Sequence, residues 1–204
     1  DVIGHFLTGQ VNFIATLLEL YDITFLRNQK NLDALFFAIN REGREGAFVD
    51  LQLIENTGKQ LAYVGPYEEK VKGKEYKDAP WFNEVLVRGT YVSDVFSGFR
   101  NYPHFVIAVT NPMRNFVLRA TVNSGIFNTL LHSAQIGSHG DAFILNSNGE
   151  FQTPSLQRTT ALDPLEVKML RHHPDTHVVS DGIHLYASKW LNGNMWLLVV
   201  KTKI

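Results

Sequence analysis

The fold follows from the stretch Asp50-Leu-Gln-Leu-Ile-Glu-Asn-Thr-Gly58, in which apolar residues predict a strand that runs into a turn closed by glycine. The stretch Asp141-Ala-Phe-Ile-Leu-Asn-Ser-Asn-Gly149 has the same layout. The two aspartates lie 141 − 50 = 91 residues apart, and the two glycines have the same spacing. A fixed spacing between similar stretches predicts that the chain contains a duplicated structural unit.

Buried strands and helix starts recur in the same order around these two stretches. The strand patterns Phe105-Val-Ile-Ala-Val109 and Trp196-Leu-Leu-Val-Val200 are again 91 residues apart. Helix starts are predicted at Asp78-Ala-Pro80 and Asp163-Pro164, where the aspartate is the expected N-cap and proline lies in the first turn. The sequence pattern of each half therefore predicts a hairpin, a helix and two or three antiparallel strands. This order predicts an α+β fold without the alternation of a parallel sheet.

A long amphipathic helix is predicted ahead of these halves, over residues 1–44. Apolar side chains recur in steps of three and four at Leu7, Val11, Ile14, Leu18, Tyr21, Phe25, Leu32, Leu35 and Ile39. Asn28 is the polar break in this pattern, an interruption is expected near Asn31, and Gly43 and Gly46 are expected to end the helix. Two interpretations stay open: the helix packs against its own domain, or it also pairs with a second copy.

Composition excludes several classes of protein. The 204 residues include 19 Lys and Arg against 20 Asp and Glu, and the formal charge of −1 gives no basic excess for nucleic acid. Cysteine is absent, which excludes disulfides, thiolate zinc sites and cysteine nucleophiles. No apolar run approaches the roughly 20 residues that cross a bilayer. Because the chain begins at Asp1 and not at Met, we expect a piece of a longer protein, with any membrane segment outside it.

Catalytic and metal motifs are weak in this sequence. It contains no Gly-x-Ser-x-Gly, His-Glu-x-x-His, Walker A or dinucleotide glycine pattern, so we expect no catalytic residue and no cofactor. His139 beside Asp141 has acid–base character, but the segment is better interpreted as a turn that enters a strand. The remaining histidines that lie close together are His172, His173, His177 and His184. Adjacent side chains at a helix end point in different directions, so this group does not predict a metal site.

Local sequences support a resemblance to a known family. A long helix followed by two similar halves resembles the double Cache (dCache) domains, in which the halves are PAS-like. The stretches that carry the resemblance are Phe48–Ile54, Leu61–Tyr67, Tyr76–Phe82, Tyr91–Gly98, His104–Val109 and Ile136–Leu145. The chain is most similar to the dCache domains of bacterial sensor histidine kinases.

The resemblance implies an architecture and a cellular setting. It implies a helix over residues 1–44, a membrane-distal subdomain over 45–120 and a membrane-proximal subdomain over 121–204. It also implies a periplasmic or extracellular sensor of a cell-membrane receptor, with flanking transmembrane helices and a kinase domain outside this chain. A small-molecule partner and a homodimer through the first helix are expected, and ligand binding is expected to shift the population of conformers.

The family's amino-acid-binding pattern is incomplete here. That pattern has an arginine two residues before a Trp-Phe or Trp-Tyr pair, but Ala79 stands at this position before Trp81-Phe82. It also has an acidic residue near the start of the second half, where the nearest match is Asn123. A zwitterion without either partner would have desolvated charges, which predicts against an amino acid ligand.

A different polar set predicts a small organic acid or a similar polar metabolite. We expect Arg100 to hold a carboxylate, His104 to add a second bond, and Asp94 to orient Arg100 or to accept from a ligand hydroxyl. In the alternative, Arg100 and Asp94 pair across a hairpin, and Trp81 and Phe82 belong to the core. The predicted ligand-binding residues are Tyr76, Trp81, Phe82, Tyr91, Asp94, Arg100, His104 and Asn123.

Other function classes stay open at this point. The chain is alternatively the sensor domain of a methyl-accepting chemoreceptor or a diguanylate cyclase, or a ligand-free PAS-type dimerisation module. A further alternative is a free-standing soluble binding protein or small enzyme.

Overall fold

Three consecutive helices open the chain: α1 (Val2–Leu20), α2 (Ile23–Leu26) and α3 (Gln29–Ile39). The computed structural model describes residues 2–41, 47–133, 140–153, 162–171, 176–191, 193 and 195–204. The expected end of the helix at residues 43 and 46 lies outside these described residues. None of the described helices is both long and apolar enough to cross a membrane.

The predicted single rod is divided at two polar residues. Asp22 Oδ1 accepts a hydrogen bond of 2.8 Å from the Phe25 N–H and caps α2. Asn28 Oδ1 accepts one of 3.2 Å from the Asn31 N–H and caps α3. The predicted break near Asn31 therefore lies at Asn28, and the break at Asp22 was missed, because these short polar side chains satisfy the N–H groups of a new helix.

The first sheet has five strands and two associated helices. Its strands are β1 (Phe48–Glu55), β2 (Gln60–Val64), β3 (Thr90–Val92), β4 (His104–Thr110) and β5 (Phe116–Asn123). Their order is β2-β1-β5-β4-β3, and every neighbouring pair is antiparallel. The helices are α4 (Glu68–Val71) and α5 (Pro80–Arg88).

The second sheet has four strands. They are β6 (Gly140–Asn146), β7 (His177–Ser180), β8 (His184–Leu191) and β9 (Trp196–Lys203), in the antiparallel order β6-β9-β8-β7. The helices α6 (Ile126–Ser133) and α7 (Pro164–Arg171) accompany it. Two antiparallel sheets with an N-terminal helical segment confirm the predicted α+β fold.

The chain forms two compact units. One comprises Thr8–Asn123, and the other comprises Asp1–Leu7 with Ser124–Ile204. The predicted segment limits at residues 44 and 120 stay a prediction.

The glycines of the two repeated stretches occupy equivalent positions. Gly58 and Gly149 have φ values of +92° and +82°, which an L side chain rarely adopts. A Cβ at Gly58 would lie 2.3 Å from the Lys77 backbone nitrogen, just ahead of α5. A Cβ at Gly149 would lie 2.5 Å from Val167 Cγ1 in α7. The turn therefore packs against the segment that leads into α5 in the first unit and against α7 itself in the second, and an added Cβ would clash at both positions.

The two helix starts differ in their caps. In the first unit the N-cap of α5 is Ala79, without a side-chain hydrogen bond, so the predicted Asp78 cap is wrong. Because Pro80 occupies the first helical position, the aspartate lies one residue too early. In the second unit Asp163 Oδ1 accepts from the Leu165 N–H at 2.7 Å, and Glu166 Oε2 accepts from the Asp163 N–H at 3.1 Å. This reciprocal pair caps α7 as predicted.

The core of the first unit lies between the sheet and α5. Phe82 and Val85 of α5 pack on Ile54, Ala108 and Val117 of the central strands. All seven residues of β4 are buried. The helix covers one end of this sheet face, which leaves the other end of the same face for polar side chains.

Candidate functional site

Polar side chains lie side by side on one face of the first sheet. Arg119 of β5 pairs with Gln52 of β1, and Thr121 of β5 pairs with Asp50 of β1 and Val106 of β4. Residues that pair directly across antiparallel strands share a face, and so do residues two apart on one strand. Such a strip of buried polar groups is a candidate site where it adjoins a cavity.

A cavity of about 260 Å³ borders this strip. Its lining consists of Trp81, Tyr91, Ser93, Asp94, Phe96, Val106 and Arg119. The structure therefore brings together Trp81, Tyr91 and Asp94 among the predicted residues.

The aromatic wall of the cavity is built around Trp81. This residue lies in the first turn of α5, and its ring makes edge contacts with Tyr76 at 5.5 Å and with Phe82 at 5.7 Å between centroids. The Tyr91 ring lies 6.3 Å away on β3. Burial raises the pKa of Tyr91, and the nearby carboxylates of Glu84 and Asp94 raise it further, so its hydroxyl stays protonated. The wall therefore combines apolar rings with a neutral hydroxyl.

The loop after β3 is fixed against β4. Ser93 Oγ accepts a 2.8 Å hydrogen bond from the Val106 N–H and donates one of 2.8 Å to the Asp94 carbonyl. The Phe96 and His104 backbones exchange two hydrogen bonds of 2.9 Å. These bonds hold Asp94 and Phe96 at the cavity wall.

Arg119 is the cation of the cavity lining. Its Nη1 donates a 3.1 Å hydrogen bond to Gln52 Oε1, and its guanidinium carbon lies 5.2 Å from the centre of the Trp81 ring. Its Nε is buried and has no hydrogen-bond partner. Burial lowers the pKa of Arg119, although an arginine stays charged at neutral pH. Within the described part of the chain, no carboxylate lies within ion-pair distance of this guanidinium.

Gln52 positions Arg119. The Gln52 amide donates to Tyr76 Oη at 2.8 Å and to Gln60 Oε1 at 2.5 Å, which leaves its carbonyl oxygen to accept from Arg119. Tyr76, predicted as a ligand contact, is thus a buried support behind the cavity, and Phe82 belongs to the core.

Arg100 forms a buried ion pair with Asp50, which corrects the expected pairing with Asp94. Its Nη2 lies 2.5 Å from Asp50 Oδ2, which also accepts a 3.0 Å hydrogen bond from Tyr63 Oη. Arg100 ends a short 3₁₀ turn, and Asn101 follows it with a φ of 58°. This turn directs Arg100 toward β1, where its charge is balanced, and Arg100 is outside the cavity lining.

His104 is fully buried at the start of β4. Its Nδ1 lies 2.9 Å from the Tyr102 carbonyl oxygen, which only accepts, so Nδ1 carries the proton. Its Nε2 is then a buried acceptor without a partner. Burial lowers the pKa of His104, and the charges of Arg100 and Arg119 lower it further, which keeps the ring neutral.

The last predicted ligand-binding residue lies away from the cavity, and four of the lining residues were not predicted. Asn123 is exposed at the end of β5, opposite His104, and is outside the cavity lining. Sequence reasoning missed Arg119, Ser93, Phe96 and Val106. A signal for Arg119 was present, because it is the charged residue within the strand pattern Phe116-Val-Leu-Arg-Ala-Thr-Val122.

The second unit has an internally paired polar cluster. Tyr186 Oη lies 2.8 Å from Glu166 Oε1 and 2.9 Å from Asp181 Oδ2, and Lys201 Nζ lies 3.1 Å from Glu166. Burial by itself raises the pKa of Glu166, but hydrogen bonds from Tyr186, the Asp163 backbone and Lys201 outweigh it and lower the pKa to about 2. These groups satisfy one another, so the cluster supports the fold.

The histidine group does not form a metal centre in the described part of the chain. Residues 172 and 173 lie outside the described residues, and His177 and His184 begin β7 and β8. Among the residues described, no three His, Asp or Glu side chains are arranged to hold a metal ion.

Comparison with known proteins found matches among solved structures. No protein-family profile and no curated protein matches the chain. The extracellular domain of the proposed histidine kinase vpHK1S-Z8 superimposes with a TM-score of 0.69 at 11% identity, over 98% of this chain and 88% of that one. The ligand-binding domain of the Pseudomonas aeruginosa PAO1 amino acid chemoreceptor PctC, in complex with GABA, gives 0.66 at 17% identity, over 98% and 93%.

This chain has the fold of a Cache-type sensor domain. The expected double Cache fold is thereby confirmed. An extracellular ligand-binding receptor from Desulfohalobium retbaense DSM5692 also matches, with a TM-score of 0.64 at 9% identity over 84% of this chain. This chain spans 33% of that receptor.

Proposed function

We propose that this chain is the extracytoplasmic ligand-sensing domain of a membrane receptor, and that the cavity beside Trp81 binds a small metabolite with an anionic group. The observation that carries this proposal is Arg119, a cation without a carboxylate partner among the described residues, in the lining of a cavity with aromatic walls. A buried guanidinium with an unpaired N–H is costly unless a ligand or ordered water satisfies it.

The chemistry of Arg119 favours a carboxylate. A guanidinium presents several N–H donors in one plane and binds carboxylates through two parallel, charge-assisted hydrogen bonds. The bond to Gln52 and the stacking on Trp81 hold the plane in one orientation before a ligand arrives. A cavity of about 260 Å³ suits a metabolite of a few carbon atoms.

The predicted ligand class, an organic acid, is thus kept, but its carboxylate is assigned to a different arginine. Arg100 is already neutralised by Asp50 at 2.5 Å, so a carboxylate would have to compete with a buried ion pair. Arg119 faces no such competition. We therefore assign the carboxylate contact to Arg119 and a supporting role to Arg100.

An amino acid is the second candidate ligand, and Asp94 is the observation that favours it. Asp94 lines the same cavity as Arg119, so an ammonium group and a carboxylate would each find an opposite charge. These residues supply the two charges that Ala79 and Asn123 lack. The chemoreceptor domain in complex with GABA, a molecule of this class, supports the second candidate.

The receptor setting is proposed from the fold. Histidine kinases and chemoreceptors both occur among the structural neighbours, and a sensory box/GGDEF family protein from Vibrio parahaemolyticus is a further one. We favour a sensor histidine kinase, with the kinase domain and membrane helices outside this chain and a homodimer through the N-terminal helices. Ligand binding would shift the population of conformers by no more than its differential affinity for them.

The test is a thermal-shift screen of metabolites followed by calorimetric titration of each hit. A ligand that binds the folded state raises the melting temperature. We expect small carboxylates among the hits and at least about a hundredfold loss of affinity in Arg119→Gln, because a charge-assisted bidentate contact is removed. The matched control is Arg88→Gln, since Arg88 is exposed on α5.

Three outcomes are distinguishable. Equal affinities in Arg119→Gln and the wild type would contradict the carboxylate contact. A ligand whose binding also requires Asp94, as shown by Asp94→Asn, would favour the amino acid. The absence of any stabilising metabolite would favour a ligand-free dimerisation module.

A further inference from the structure

Three buried polar side chains of the first unit lack part of their hydrogen bonding. Thr121 and His104 are 0% exposed, and Arg100 is 6% exposed. The atoms without a hydrogen-bond partner are Thr121 Oγ1, His104 Nε2 and Arg100 Nε. Buried polar atoms are nearly always paired, so a cluster of exceptions points to a group that the protein binds there.

Thr121 and His104 adjoin the cavity lining along their strands, and Arg100 is linked to Thr121 through Asp50, the cross-strand partner of Thr121. Thr121 follows Arg119 by two residues on β5 and pairs with Val106 on β4, and both of these neighbours line the cavity. His104 precedes Val106 by two residues on the same strand and face. Its ring lies 4.2 Å from the ring of Phe96, which is also part of the lining. We call Thr121, His104 and Arg100 the inner cluster.

The inner cluster is neutral and has mixed hydrogen-bonding character. The charge of Arg100 is balanced by Asp50, and its Nε–H can only donate. His104 Nε2 can only accept, because Nδ1 carries the ring proton. The Thr121 hydroxyl can do either. A carboxylate offers no hydrogen to His104, and an ammonium offers no acceptor to Arg100. A hydroxyl group does both.

We infer that the ligand is a hydroxy acid, with its carboxylate on Arg119 and its hydroxyl in the inner cluster. This inference rests on the proposed function of the cavity and adds the chemical class of its ligand. Two residues along a strand span about 6.7 Å, so the hydroxyl and the carboxylate are only a few ångströms apart. The ligand is therefore compact, with its hydroxyl one to three carbons from the carboxyl carbon.

The experiment compares acids that differ only by one hydroxyl. The pairs are malate and succinate, lactate and propionate, and 3-hydroxybutyrate and butyrate, each titrated by calorimetry. We expect at least one hydroxy acid to bind at least about tenfold more tightly than its partner, because the analogue leaves the inner cluster unpaired.

Two variants locate the source of this preference. Thr121→Val keeps the shape of the side chain and removes its hydroxyl, and Thr121→Ser restores a hydroxyl. His104→Asn keeps an amide donor for the Tyr102 carbonyl and removes the Nε2 acceptor. We expect Thr121→Val and His104→Asn to reduce the preference to less than about threefold, with little change in the affinity for the deoxy acid, and Thr121→Ser to retain it.

The contradicting results differ for the two proposals. If acids bind through Arg119 with equal affinity for both members of every pair, ordered water alone satisfies the inner cluster, and the hydroxy-acid inference is wrong while the proposed function stands. If the preference survives in Thr121→Val and in His104→Asn, the inner cluster is not its source. If no acid binds to the folded wild type, both proposals fail.

Discussion

Removal of the Arg100 guanidinium is expected to destabilise the unit Thr8–Asn123 strongly. The side chains of Arg100 and Asp50 are 1% and 3% exposed, and their ion pair spans 2.5 Å. Breaking a buried pair by removing one partner costs about 3–5 kcal/mol, because the other charge stays buried. Tyr63 still donates a hydrogen bond to Asp50, so the lower end, about 3 kcal/mol, is expected for Arg100→Met.

A double variant separates the charge effect from lost packing. In Asp50→Asn combined with Arg100→Met, no charge is left buried, and the new amide still accepts from Tyr63. We expect this double variant to be about 1–2 kcal/mol more stable than Arg100→Met alone, because no unpaired charge stays buried. Arg88→Gln is the matched control, because its exposed pair with Glu84 contributes less than about 1 kcal/mol.

The assay is urea unfolding followed by circular dichroism and tryptophan fluorescence. The midpoint is expected to fall for Arg100→Met at an unchanged slope, and the melting temperature is expected to fall by on the order of 10 °C. A loss below about 1 kcal/mol, together with lost binding of an acid, would refute this reasoning and return Arg100 to the role of carboxylate clamp.

Three further predictions concern stability. Thr121→Val should stabilise the unliganded domain by about 1 kcal/mol, since it removes a buried hydroxyl without a partner. Scanning calorimetry checks this as a higher melting temperature. Because the folded-state pKa of Glu166 lies at about 2, below its usual 4.5, its stabilising contribution is present above pH 4.5 and is lost as the pH falls toward 2. Tyr186→Phe should weaken this acid sensitivity in a pH titration followed by circular dichroism. Gly58→Ala should destabilise more than Gly73→Ala in urea unfolding, because an added Cβ would lie 2.3 Å from a backbone nitrogen at the first position and meet nothing within 4 Å at the second.

The sequence predicted the fold because its signals are local and repeated. Gly58 and Gly149 each close a turn at positive φ, and their equal spacing from the strands before them reveals the duplication. The division of the first helix was harder to predict. Asp22 and Asn28 interrupt the apolar pattern only slightly, yet each side chain caps a new helix. A single capping side chain can therefore begin a new helix within a continuous apolar pattern.

The lining of the candidate cavity was predicted only in part, because strand register decides which other side chains reach it. Trp81, Tyr91 and Asp94 belong to local motifs and do line the cavity. Arg119 faces this cavity only because β5 pairs with β1 and β4 in a particular register, which a single sequence does not reveal. The partner of Arg100 lies 50 residues away, so local reasoning chose the nearer Asp94.

The most direct test of the sensor proposal is a crystal structure of the domain with the tightest metabolite from the screen. The proposal predicts electron density for the ligand beside Trp81, with a carboxylate oxygen about 2.8 Å from an Arg119 nitrogen. A ligand bound elsewhere, or one that leaves Arg119 uncontacted while Arg100 has exchanged Asp50 for the ligand, would contradict it.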